Sequence, residues 1–376
     1  MDFYRRHLDK LKAENRLRQL PEDNPGLIDL VSNDYLGLAS REFSLREEFF
    51  KLYPDASFSS SASRLLSRKQ KYHLLLEDLL RELYSKDILL FNSGYHANTG
   101  LISALSTTEA LFLTDELMHA SGLDGLMLGQ FHRKSRMVTF AHNDISDLEE
   151  KIKIERSKSN TSDIFIVTES IFSMDGDKAP LQEMVSLKYK YNNIRIYLDE
   201  AHGFGIRGKR GLGLAEESGV MDEIDFIVGT FGKALASEGA FVATSPLFKT
   251  FFINSSRSFI FSTAIPPLNT AWSHFMLTKI LGMNKERLHL KELGKFLRGA
   301  LIPSSKLDTH IVPLICGSAS KAIELATYLR NNGYDTLPIR RPTVPAGTER
   351  IRLSLNAGLT FHSVKALVFL LEKFSG

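Results

Sequence analysis

The chain has 376 residues, of which 24% are charged and 43% hydrophobic, an ordinary soluble globular composition with room for two or three domains of roughly 150 residues. Lys and Arg number 47 against 44 Asp and Glu, a net charge of +3, too balanced for the clustered basic patch of a nucleic-acid binder. The single cysteine, Cys316, excludes an internal disulfide framework and a cysteine-based metal site, and it fits a reducing compartment.

The basic residues Arg5, Arg6, Lys10, Lys12, Arg16 and Arg18 are mixed with Asp2, Asp9 and Glu14, and no apolar h-region follows them. That speaks against a signal or transit peptide. No apolar run approaches the roughly eighteen residues of a membrane span. The expectation is a cytoplasmic protein with no metal, no nucleic acid and no membrane partner.

Residues 2–20 read as a helix with Tyr4, Leu8 and Leu11 on one face, ended by Pro21 and Pro25. A second helix runs from Tyr72 to about Tyr84. Residues 88–91 form a short apolar run, Asn92-Ser93-Gly94 a turn, and 97–105 a helix. Residues 110–114, 164–168, 194–198 and 226–229 then read as apolar strands between helical stretches, with a turn at Met174-Asp175-Gly176. Such alternation implies crossover units and an α/β fold with a mostly parallel sheet covered on both faces. The pattern changes at Pro266-Pro267. A long helix, a strand at 311–315, a helix over 321–331, a strand near 351–355 and a final helix suggest a smaller α+β domain. The expected division is 1–40 as an N-terminal helix and arm, 41–265 as the large α/β domain, and 266–376 as the C-terminal domain.

Gly203-Phe204-Gly205-Ile206-Arg207-Gly208 matches GxGxxG, and Gly203-x4-Gly208-Lys209 begins like a P-loop. Both motifs work by opening a helix whose N-terminus meets phosphate. Here the chain continues Lys209-Arg210-Gly211-Leu212-Gly213, too rich in glycine to start a helix, and Arg210 stands where the magnesium-binding hydroxyl belongs. The segment reads as a flexible loop beside an active site.

Three strand ends offer three chemical groups. Ser93-Gly94-Tyr95 lies between a strand and a helix, where free backbone N–H groups and the helix dipole suit a phosphate; an ordinary turn is the plainer reading. Asp199 closes an apolar strand, with His202 three residues on; a carboxylate there needs a cationic partner, and a structural ion pair would serve as well. Lys233 follows the strand at 226–229 and precedes small residues. Its amine could form a Schiff base, or it could be a surface lysine. Together the three describe one ligand with a phosphate, a ring nitrogen and an aldehyde: pyridoxal 5'-phosphate. The C-terminal ends of parallel strands are where such a sheet binds ligands.

Asp199-Glu200-Ala201-His202-Gly203-Phe204-Gly205 followed by Thr230-Phe231-Gly232-Lys233 resembles the signature of the α-oxoamine synthases, fold-type-I pyridoxal-phosphate transferases with an aspartate aminotransferase-like fold. Ser32-Asn33-Asp34-Tyr35-Leu36-Gly37, Ser93-Gly94-Tyr95-x-Ala97-Asn98, Asp115-x3-His119-Ala120-Ser121, Thr168-Glu169-Ser170-Ile171-Phe172-Ser173-Met174-Asp175-Gly176-Asp177, Phe261-Ser262-Thr263 and Pro342-Thr343-Val344-Pro345 match in family order, over residues about 15 to 370. The resemblance implies that Lys233 bonds the cofactor aldehyde and moves the substrate α-proton. Asp199 would pair with the pyridine nitrogen, His119 stack on the ring, and His202 bond its hydroxyl. Gly94, Tyr95 and Thr230 would hold the phosphate, with Thr263 contributing from the other subunit of a homodimer, and Ser173 would touch the cofactor. Arg18 (rather than Arg16), Asn33, His119, Arg340 and Thr343 would bind substrate. His73, His96, His132, His142 and His310 read as surface or packing residues.

Ile339-Arg340-Arg341-Pro342-Thr343 resembles the branch of the family that condenses L-alanine with a pimeloyl thioester, carried by coenzyme A or acyl-carrier protein, to 8-amino-7-oxononanoate in biotin synthesis. Branches making 2-amino-3-ketobutyrate or 3-ketosphinganine are the alternative, and a non-catalytic family subunit is a further one. The family's glycine-rich loop is replaced here by Phe58-Ser59-Ser60-Ser61-Ala62-Ser63-Arg64, where left-handed backbone is costlier without glycine. The basic residues that follow, Arg68, Lys69 and Lys71, are expected to meet an anionic carrier or to form a solvated charge run.

Overall fold

The computed structural model describes residues 2–21, 25–129, 135–158 and 163–375. They form two compact units: Leu36–Phe172 with Lys178–Arg287, and Met1–Tyr35 with Ser173–Asp177 and Leu288–Gly376. In chain order the described strands are β1 (Ile28–Asp29), β2 (Asp87–Phe91), β3 (Ala110–Asp115), β4 (Arg136–Phe140), β5 (Asp163–Glu169), β6 (Ile194–Asp199), β7 (Phe226–Thr230), β8 (Ala240–Thr244), β9 (Ile311–Ile315), β10 (Tyr334–Asp335), β11 (Pro338–Ile339) and β12 (Arg350–Ser354).

The larger unit holds a seven-stranded sheet in the order β2-β8-β7-β6-β5-β3-β4. β4, β3, β5, β6 and β7 pair in parallel, and β8 runs antiparallel to both β7 and β2. β3, β7 and β8 are buried along their whole length, which is why they read as apolar runs without alternation. Phe112 stacks on Phe165 with ring centroids 5.1 Å apart, and Phe165 meets Phe226 at 6.0 Å. Each such buried aromatic contributes roughly 1.5–3 kcal/mol. β4 is mostly exposed, so the edge strand carries no apolar signal in the sequence. β8 follows β7 closely and escapes notice because strand–helix alternation leaves no place for an antiparallel insertion.

The predicted strands are present as β2, β3, β5, β6 and β7. The first predicted helix is shorter than expected: it spans Asp2–Ala13, and Asn15 takes φ +54°, a left-handed conformation in which no helix continues. In the glycine-rich segment after β6, Gly208 opens no helix; the next one is Leu214–Glu217. That segment is tied down rather than loose. Phe204, Ile206 and Arg207 are buried, Tyr84 Oη donates to the Leu212 carbonyl at 2.8 Å, and Arg287 Nη2 donates to the Lys209 carbonyl at 2.7 Å. The expectation of a flexible loop is therefore corrected: its glycines serve close approach rather than mobility.

In the smaller unit, β11-β12-β9 form an antiparallel sheet and β1 pairs with β10. Helices Ala319–Asn331 and Phe361–Ser375 belong to the same unit. The segment Ser173–Asp177 is held there by two arginines. Arg350 Nη1 donates to Asp175 Oδ1 at 2.5 Å and to the Met174 carbonyl at 3.2 Å, and Arg298 Nη2 donates to the Asp175 carbonyl at 3.0 Å. Gly176 has φ +70°, and a Cβ there would lie 2.1 Å from the Ile311 carbonyl oxygen; only glycine fits.

Candidate active site

In the larger unit the turn after β2 leads into helix Gly94–Leu105, whose N-cap is Ser93: its hydroxyl accepts from the His96 N–H. The first N–H groups of that helix, at Gly94 and Tyr95, have no partner within the helix. A Cβ on Gly94 would meet Thr230 Cβ at 3.7 Å, so the end of β7 borders this cradle. Thr230 Oγ1 donates to the Gly239 carbonyl at 3.2 Å and accepts from Gly232 N–H at 3.4 Å. Thr263 is adjacent in the same unit: its carbonyl accepts from Asn92 Nδ2 at 2.7 Å.

Asp199 ends β6 with its carboxylate fixed from two sides. Oδ2 accepts from Asn98 Nδ2 at 2.7 Å, and Oδ1 accepts from Ala201 N–H at 2.8 Å. Two further carboxyls flank it. Glu169 is its register partner on β5; burial first, then the Asp199 charge, push Glu169 up to about 8, against the opposing pull of Lys233. Glu200 is fully buried and accepts from Ala215 N–H at 2.8 Å; burial raises it to about 7.

Lys233 Nζ lies 2.8 Å from His202 Nε2. His119 Nδ1 meets Ser121 Oγ at 2.7 Å and Ser121 N–H at 3.2 Å. Burial holds the His119 imidazole below its usual range, Asp199 raises it and Lys233 lowers it. The fold thus gathers Lys233, Asp199, His119 and His202 at one end of the sheet, with Gly94, Tyr95 and Thr230 beside them.

The remaining predicted residues lie in the smaller unit. Arg18 Nη2 donates to Thr343 Oγ1 at 2.7 Å. Arg340 donates to the carbonyls of Asn15 at 2.6 Å and Leu17 at 3.4 Å, so its guanidinium is engaged by backbone. Asn33 Oδ1 accepts from Tyr35 Oη at 2.8 Å and from Arg352 Nη2 at 2.6 Å. Ser173 opens the segment clamped by Arg298 and Arg350. Sequence reasoning missed Arg352, although a half-buried arginine between buried Ile351 and Leu353 breaks the apolar strand visibly. It also gave no role to Asn98, Ser121, Glu169 or Tyr197, whose partners come from different elements.

Among the histidines read as packing, His73 is buried and pushed down to about 4. His96 Nδ1 meets Ser93 Oγ at 3.0 Å, His142 Nδ1 meets Asp115 Oδ1 at 2.8 Å, and His310 packs edge-on to Tyr35. His132 lies outside the described residues. Of the basic stretch, Lys71 pairs with Asp55 at 2.8 Å and Lys69 donates to the Ser59 carbonyl at 3.0 Å. Among the described residues no helix is long and apolar enough to cross a membrane, and no group of three or more His, Cys, Asp or Glu could hold a metal ion.

Residues 25–369 match the model of the aminotransferase class I and II family. The chain belongs to that family. A Haemophilus influenzae relative named "Putative 8-amino-7-oxononanoate synthase" is 43% identical, over 97% of this chain and 98% of its own. A Pasteurella multocida relative of the same name is 41% identical, over 99% of each. Among solved structures, serine palmitoyltransferase from S. paucimobilis superposes with a TM-score of 0.85 at 26% identity, covering 98% of this chain and 96% of its own. The 8-amino-7-oxononanoate synthase of Francisella tularensis shares the fold, with a TM-score of 0.77 at 23% identity over 94% of this chain and 98% of its own. Within the aminotransferase family this chain is an α-oxoamine synthase-type enzyme with a fold-type-I architecture, and its cofactor is pyridoxal 5'-phosphate. The residues present fit that group: an amine at Lys233, a fixed carboxylate at Asp199, and a helix N-terminus at Gly94 that the absence of a side chain leaves open.

Proposed function

We propose that the enzyme condenses L-alanine with a pimeloyl thioester to give 8-amino-7-oxononanoate, carbon dioxide and the free carrier, either coenzyme A or acyl-carrier protein. The observation that carries this reading is the convergence of Lys233, Asp199 and His119 in a chain 43% identical, end to end, to a relative of that name. The cofactor, when bound, supplies an electron sink for the amino acid α-carbon. Lys233 would hold the cofactor through its aldehyde and, once the amine of alanine has taken its place there and freed the lysine amine, would take the α-proton of alanine and later return one. Asp199 would hold the proton of the ring nitrogen, and His202 would bond the ring hydroxyl. His119 would cover the face of the cofactor ring and orient the thioester carbonyl. Gly94, Tyr95 and Thr230 would hold the phosphate, with Thr263 of a second subunit, and Ser173 would contact the cofactor. Carbon–carbon bond formation at the thioester expels the thiolate, and the carboxylate of alanine leaves as carbon dioxide.

Arg18, Asn33, Arg340 and Thr343 are the proposed substrate residues, and Arg352 joins them. Its guanidinium faces the neutral partners Asn33, Tyr35 and Ser354, whereas Arg340 is engaged by carbonyls, so the planar fork of Arg352 suits a substrate carboxylate better. The exposed Arg68 and Lys69 suit an anionic carrier. The reading includes a cytoplasmic homodimer.

The serine palmitoyltransferase likeness supports a second reading, in which another amino acid and acyl thioester are used. The test is a matrix of L-alanine, glycine and L-serine against pimeloyl, acetyl and palmitoyl thioesters. Carbon dioxide and amino ketone formed from L-alanine and the pimeloyl thioester at the highest kcat/KM support the first reading; preference for another pair replaces it.

A further inference from the structure

A buried hydrogen-bonded chain runs behind the site and ends on His119. Tyr197 Oη donates to Asn98 Oδ1 at 2.8 Å. Asn98 Nδ2 donates to Asp199 Oδ2 at 2.7 Å and to Ser121 Oγ at 2.9 Å. Ser121 then meets His119 Nδ1 twice, through Oγ at 2.7 Å and through its backbone N–H at 3.2 Å. Asn98, Ser121 and Tyr197 are all buried. The close packing of helices Gly94–Leu105 and Ala120–Gly129 fixes Asn98 against Ser121: a Cβ on Gly125 would come within 3.0 Å of the Asn98 carbonyl oxygen.

The hydrogens in this chain can be assigned one by one. An ionised Asp199 only accepts, so the amide nitrogen of Asn98 faces it, and the amide oxygen is left to accept from Tyr197. The second amide hydrogen goes to Ser121 Oγ, which leaves the serine's own hydrogen free to turn toward the imidazole. A backbone N–H can only donate. His119 Nδ1 therefore accepts from Ser121, and the ring proton must sit on Nε2.

We propose that Asn98 and Ser121 are positioning residues that hold His119 as the neutral tautomer protonated on Nε2. In the reaction proposed above, on which this assignment of purpose rests, His119 then donates a hydrogen bond from Nε2 to the thioester carbonyl oxygen. It has no lone pair there to take the α-proton, so that task falls to Lys233. The same amide that fixes the tautomer anchors Asp199, so one side chain ties the acid under the ring nitrogen to the imidazole. The charged groups facing His119 are Asp199, Lys233 and Asp124, and the Glu169 carboxyl faces its backbone N–H.

The test is nitrogen NMR of the full chain labelled with 15N-histidine, recorded with and without cofactor, the His119→Gln variant identifying the His119 signals. The expected pattern is a protonated Nε2 and a bare Nδ1 in both forms. Ser121→Ala removes the hydroxyl donor but keeps the backbone N–H, so Nε2 should remain the main proton site with a detectable share of the other tautomer, and kcat should fall by about tenfold, one hydrogen bond's worth, while Ser121→Thr restores the pattern. A proton on Nδ1 in the unsubstituted chain, or an unchanged pattern in Ser121→Ala, overturns the proposal. The spectra do not depend on turnover, so loss of the proposed condensation with the expected pattern intact would count against the reaction and not against the tautomer.

Discussion

Lys233 Nζ and His202 Nε2 lie 2.8 Å apart, and at that distance two basic nitrogens share one hydrogen. One of the pair presents a lone pair to the other. An ammonium in that position can pass its proton to the imidazole and become the neutral amine that bonds an aldehyde. Lys233→Ala should replace the Schiff-base absorption band of the cofactor-loaded protein with the shorter-wavelength band of the free aldehyde and lower turnover by roughly 10³-fold or more. An active variant that keeps the Schiff-base band would remove Lys233 from the chemistry.

Glu200 carries a stability signature. Burial raises its folded value from 4.5 to about 7, so the unfolded chain loses its proton first as pH rises. The stabilisation is complete below 4.5 and is lost between there and about 7. Glu200→Gln should therefore stabilise the protein at pH 8 by up to about 3 kcal/mol relative to its effect at pH 4. Melting curves at the two pH values check this; equal shifts at both would contradict it.

His73 has the opposite dependence. Burial lowers it from 6.5 to about 4, with Arg64 adding to the shift, so the unfolded chain charges first as pH falls. Stability is full above 6.5 and is lost on acidification toward 4. In His73→Phe the loss of melting temperature between pH 7 and pH 5 should shrink, by an amount corresponding to roughly 2 kcal/mol.

Ser61 sits in the glycine-free loop with φ +54°, a region that costs a side-chain-bearing residue about 1–2 kcal/mol. Its hydroxyl is exposed and, among the described residues, meets Ser59 Oγ at 3.1 Å. Ser61→Gly should stabilise the protein by about 0.5–1 kcal/mol, after allowing for the greater freedom of glycine in the unfolded chain. Denaturant titration reads the change, and a destabilised variant would refute it.

Arg352 and Arg340 can be separated kinetically. Loss of a charged bidentate contact predicts that Arg352→Lys raises KM for the amino acid by about 10–100-fold, while Arg340→Lys moves it less. The reverse order would return the carboxylate to Arg340.

Much of this was legible in the chain itself. β3, β5, β6 and β7 are buried strands and declare themselves as apolar runs, and Asp199 and Lys233 stand at their ends. β4 was hidden because an edge strand keeps polar residues, and β8 because it inverts the expected alternation. The Asn98–Ser121–His119 chain was unreadable for another reason: its members come from two helices and the loop before one of them, and only packing brings their atoms together. Arg352 was within reach, since alternation in β12 turns it away from buried Ile351 and Leu353.

Borohydride trapping of the cofactor-loaded protein, followed by peptide mapping, addresses Lys233 most directly. The expected result is a phosphopyridoxyl group on Lys233 alone. The group on another lysine, such as Lys209, or on none, would contradict the assignment of this site.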